Sequence, residues 1–115
     1  MLGAEHPFTL TSMNNLAETL RAQSDHVGAR ALHEEVLAVS RRVLGAEHPN
    51  TLGCMSNLAL TLANLGETEA ARALIEEALP IALERYGAEP DFTKALLNTA
   101  AYLGVPLPPN ELPQS

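Results

Sequence analysis

The sequence predicts an all-α solenoid: antiparallel helix pairs in about two and a half repeats, five helices in the order A-B-A-B-A. Three observations carry that expectation. The hexapeptide Leu2-Gly3-Ala4-Glu5-His6-Pro7 recurs as Leu44-Gly45-Ala46-Glu47-His48-Pro49, 42 residues later. The likeness continues in register: residues 2–43 match residues 44–85 at half of their positions, including Met13/Met55, Asn15/Asn57, Ala17/Ala59, Leu32/Leu74 and Glu34-Glu35/Glu76-Glu77, the signature of a helical repeat array. The apolar residues are mainly Leu and Ala at helical spacing, and Phe8, Phe92, Tyr86 and Tyr102 are the only aromatics, which favours helix-on-helix packing over a sandwich or barrel.

The first helix runs from Pro7 to about Ala22. Proline fits the first helical position, where the missing N–H would have no partner, and Leu10, Met13, Leu16, Ala17 and Leu20 form one apolar stripe. Gln23-Ser24-Asp25 breaks the chain, with Ser24 or Asp25 as the cap of the next helix. The second helix, about Asp25 to Val43, shows an apolar stripe of Ala29, Leu32, Val36, Val39 and Val43, with Leu37 beside it. Gly45 ends it by taking a left-handed conformation, and His48 before Pro49 reads as a turn or cap residue.

The third helix, Pro49 to about Leu65, carries no charged residue, so it is expected to be the middle helix, covered on most sides. The fourth, Glu67 to Tyr86, holds Pro80 deep inside; a kink near Glu76–Pro80 is expected rather than a stop. Gly87-Ala88-Glu89-Pro90-Asp91 is a degraded third hexapeptide, and Asp91 to Leu103 is the fifth helix. The repeat domain is therefore expected over residues 1–104 (repeats 2–43 and 44–86, partial repeat 87–103). A proline-rich tail follows over 105–115.

A chain of 115 residues fits one domain. The formal charge of −7 and a basic footprint limited to Arg41-Arg42 argue against nucleic acid. Cys54 is the only cysteine, so no intramolecular disulfide can form, which fits a reducing compartment. No leader pattern opens the chain and no apolar run is long enough to span a membrane. A cytoplasmic protein without membrane partners is expected.

The run Asn-Leu-Ala-x-x-Leu, a polar turn, and Ala-Arg-Ala-Leu-x-Glu-Glu-x-Leu resembles the tetratricopeptide repeat. The period of 42 residues exceeds the usual repeat of about 34. With Leu-Gly-x-Glu-His-Pro-x-Thr-Leu, it looks like the variant found in kinesin light chains and many bacterial regulatory proteins. The resemblance covers residues 2 to about 103, with two departures: Met13 and Met55 stand where bulky aromatics are usual, and Pro80 interrupts the fourth helix.

The resemblance implies a protein-binding role, with the first helix of each repeat lining a concave groove. Its candidates are Asn14, Asn15, Glu18 and Arg21 from the first helix, Ser56, Asn57, Leu60 and Asn64 from the third, and Asn98 from the fifth. Asn15, Asn57 and Asn98 would form a ladder, since an amide donates and accepts and can bond any peptide backbone; alternatively, these amides bond neighbouring helices or water. Leu60, where the first repeat has Glu18, reads as a pocket floor or as a residue covered by the next helix. Arg21, Glu18 and Leu60 would tune selectivity.

No catalytic, metal or cofactor site is expected. His6, His26, His33 and His48 form no i, i+4 ligand pair, Cys54 has no zinc-like spacing partner, and the glycines lie at helix ends. His6 and His48 would sit one repeat apart, about 10 Å on helix-packing distances. The second function class is structural self-assembly, a homodimer or stack through the open solenoid ends, because the first helix would leave apolar surface uncovered.

Overall fold

The computed structural model describes the backbone of residues 7–105 and the side chains of residues 12–105. The first hexapeptide before Pro7, the Leu10 side chain and the tail beyond Val105 lie outside the described residues.

Five helices follow in order: α1 (Pro7–Ala22), α2 (His26–Val43), α3 (Pro49–Asn64), α4 (Thr68–Tyr86) and α5 (Asp91–Leu103). Each packs on its sequence neighbour, α5 also packs on α3, and α1 touches α3. The architecture is the expected A-B-A-B-A stack. α3 is its centre, in contact with all four other helices, and Leu52, Met55, Leu58, Ala59 and Leu62 fill the core from it. The absence of charge in α3 is thereby explained, since no side of it could host an unpaired charge cheaply.

Local chemistry sets the boundaries. Asp25 caps α2, its carboxylate accepting from the Gly28 N–H at 3.0 Å. His48 caps α3 through Nδ1, which accepts from the Asn50 N–H at 3.1 Å, one turn after Gly45 takes φ +98°. α4 continues through Pro80 to Tyr86. Pro80 and Glu76 are both exposed, so water can reach the carbonyl that the proline leaves unbonded. Val105, expected to open the tail, belongs to the fold instead: it is buried and its N–H bonds the Ala100 carbonyl at 2.9 Å.

Ion pairs join the B helices along the outside. Arg30 of α2 pairs with Glu67 at the start of α4, and Arg41 with Glu77 at 3.0 Å. Across the shortened second linker, Tyr86 and Phe92 meet edge to face at 5.2 Å, and the Tyr86 hydroxyl donates to the Glu47 carbonyl at 2.9 Å.

Candidate functional site

A cavity of about 410 Å³ opens where the three A-type helices meet α2. Its apolar wall is Val36 and Leu44 from α2 and its C-cap, Pro49 and Cys54 from α3, and Phe92 from α5. Asn14, Asn50 and Asn57 add amides, and among the described residues Asp91 is the only ionisable side chain in the wall besides the Cys54 thiol. Ser40 contributes a hydroxyl already bonded to Thr51 at 2.7 Å. Gly53 matters by what it lacks: a Cβ there would meet no atom within 4 Å, so the helix backbone itself forms part of the wall. Burial pushes the Cys54 thiol up to about 11, so it is protonated and only weakly nucleophilic at neutral pH. The size and mixed lining suit an apolar group with a polar flank.

The sequence-derived residues divide into four sets. Asn14 and Asn57 line the cavity and bond each other, the Asn57 amide donating to Asn14 Oδ1 at 3.3 Å. Asn15, Asn64 and Asn98 are exposed, and Leu60 is half-buried. The rung that forms thus joins Asn57 to Asn14 rather than to Asn15.

Ser56 is a correction: it is 1 % exposed and its hydroxyl lies 3.3 Å from that of Thr99. It holds α3 to α5 and is closed to a ligand.

Glu18 and Arg21 form a separate cluster with a residue of α2. Arg21 donates to Glu18 Oε1 at 2.8 Å, and Glu18 Oε2 lies 3.1 Å from Nε2 of His33, outside hydrogen-bond alignment. His33 is fully buried. Its pKa is held below the ordinary 6.5 chiefly by burial; Glu18 opposes that shift and Arg21 adds to it.

Sequence reasoning did not place Val36, Ser40, Leu44, Pro49, Asn50, Gly53, Cys54, Asp91 and Phe92, the rest of the cavity wall, at the site. Only the packing of α2 and α5 against α3 brings them together; the charge-free α3 was the one available signal.

Among the described residues no group of three or more His, Cys, Asp or Glu is placed to hold a metal ion. No helix among them is long and apolar enough to cross a membrane.

The family model of the tetratricopeptide repeat matches residues 8–84. No curated protein matches the chain. Among solved structures, the chain is similar to the nearly identical TPR-like repeats of a kinesin light chain described from Podosopora anserina, with 28 % identity and a TM-score of 0.75. The match covers 89 % of this chain and 48 % of that one, so the chain spans about half the length of its structural relative.

Proposed function

The chain belongs to the tetratricopeptide repeat family in its kinesin-light-chain form, whose repeats generally mediate protein–protein interaction, and from that premise we propose that its A-helix face binds an extended segment of a partner protein. The cavity of about 410 Å³ beside Asn14, Asn50 and Asn57 carries this reading. An apolar side chain of the segment enters between Val36, Cys54 and Phe92, and the amides hold the backbone on either side of it. Asn15, Asn64 and Asn98, exposed on the same A-type helices, extend the polar track, and Leu60 supplies an apolar step along it. The family is one of non-catalytic scaffolds, and no cofactor enters this reading.

The test is a displayed library of extended peptides, with affinities measured by calorimetry. Replacing Gly53 with Leu puts bulk into the cavity from a position with free space. It should weaken binding by at least about tenfold, the loss of one buried aliphatic side chain, and leave the urea midpoint unchanged or higher. Asn57→Ala should weaken it by about fivefold, one hydrogen bond's worth. Wild-type affinity in both variants, or no binder in the library, overturns the groove.

A second reading is self-assembly through the α1 end. Leu16 is 51 % exposed, whereas its counterparts Leu58 and Thr99 are buried at 4 % and 3 %. Molar mass by light scattering over roughly a hundredfold dilution decides it: a persistent dimer that Leu16→Glu dissociates supports pairing through α1, and a monomer throughout removes it.

A further inference from the structure

The two repeats share a template, yet they differ together at four positions that all serve one joint, the packing of helix A on helix B. Glu18, Arg21, Ser24 and His33 stand where the second repeat has Leu60, Ala63, Gly66 and Ile75. Six buried side-chain polar atoms lack a hydrogen-bond partner among the described residues, and five belong to this joint's two helices: Glu18 Oε2, Arg21 Nε, His26 Nδ1 and both ring nitrogens of His33. His26 and His33 are seven residues apart and so lie on one face of α2. The turn between the helices is also strained, because Ser24 sits at φ +66° where the second repeat places a glycine at φ +83°. Finally, among the described residues α1 packs mainly on α2 and only touches α3.

We propose that the α1–α2 joint is a proton-sensitive latch: a proton taken up by His33 releases α1 and with it the Asn14 wall of the cavity. The effect on a bound segment rests on the groove reading above; the latch itself does not.

Burial of His33 sets the direction, and the charges around it do not reverse it. From α1 it faces Glu18 and Arg21, the only charged residues of that helix, and α3 contributes none. On its own helix, Arg30 is engaged by Glu34 and Glu67, and Glu34 and Glu35 are exposed. Glu18 is already bonded to Arg21. With His33 neutral, the cluster of Glu18, Arg21 and His33 has no net charge. A protonated His33 is a fully buried cation whose one facing carboxylate, Glu18, is already shared with Arg21, and the cost of burial outweighs that attraction. Once α1 lifts, the imidazole meets water and accepts the proton near its ordinary 6.5. The closed-state pKa is the lower one, so the latch is fully closed above about pH 6.5 and weakens as pH falls. Uptake of one proton raises the opening constant by up to roughly tenfold per pH unit.

Amide hydrogen exchange on the wild-type chain at about pH 7.5 and about pH 5.5 tests this, corrected for intrinsic rates and with α3 amides as internal reference. Protection of α1 should fall by about fivefold or more relative to α3 on acidification. The variant Glu18→Leu/Arg21→Ala/His33→Ile, which copies the second repeat, should lose that response. An unchanged α1-to-α3 ratio overturns the latch, and so does the same response in the variant. If the variant misfolds, the wild type still decides by NMR: the His33 ring proton and the Leu16 methyls must titrate with one midpoint, and separate midpoints refute the coupling.

Discussion

The two complete repeats, α1–α2 and α3–α4, solve the same packing problem with different chemistry. In the second, Leu60, Ala63 and Ile75 stand at the corresponding positions, Gly66 makes the turn, and Ile75 is wholly buried. Aliphatic surfaces need only shape to be satisfied. In the first, Glu18, Arg21 and His33 occupy the same places, and each buried polar atom needs a partner at the right angle and distance; several have none. The surroundings differ too, since α3 is packed by every other helix while α1 leans on one. The lesson is that a repeat template fixes geometry and leaves stability to be distributed position by position. In the proposed latch, that distribution makes the second repeat the anchor and the first the adjustable part.

Three variants break or sharpen that contrast. Importing the first repeat's histidine alone into the second, Ile75→His, should be the most damaging. It removes a fully buried aliphatic side chain and strands a polar ring, so the loss should be about 3–5 kcal/mol in urea unfolding near pH 8. A loss below about 1 kcal/mol would mean that the α3–α4 joint tolerates polarity as well as the first does. The reverse transplant, Glu18→Leu/Arg21→Ala/His33→Ile, should stabilise by about 1–2 kcal/mol. That figure is discounted because Glu18 and Arg21 are each about a third exposed. Destabilisation would show that the polar cluster is better satisfied than its geometry indicates. The smallest change is expected from Ser24→Gly. It relieves a left-handed serine while loosening the unfolded chain, for a net gain of about 0.5 kcal/mol. Its signature is slower α1 exchange at unchanged α3 exchange.

Most of the fold was legible because the sequence states it twice. The glycine and proline of the hexapeptide marked the α2–α3 joint, and the charge-free run Pro49–Asn64 marked the central helix. The site was less legible, for physical reasons that differ by residue. Ser56 read as exposed because serine usually is, yet a buried hydroxyl is satisfied by one partner, and Thr99 supplies it. Glu18 and Arg21 read as groove residues because they flank the apolar stripe; their partner His33 lies on the next helix, beyond what one helix's periodicity reveals. The clue was present as a joint replacement, Glu18/Leu60, Arg21/Ala63 and His33/Ile75, in which three positions change character together. Asp91 and Phe92 reach the cavity because the stack brings α5 against α3.

The single thiol of the chain sits in the cavity wall, and that gives chemistry an address. With Cys54 pushed up to about 11, roughly one thiol in ten thousand is ionised at pH 7, so alkylation by a maleimide is slow. Whatever fills the space between Val36 and Phe92 must shield that sulfur, and whatever lifts α1 away must bare it. The rate of one covalent labelling reaction therefore reads out both occupancy and opening in the unmodified chain: slower with a segment bound, faster with the first helix released.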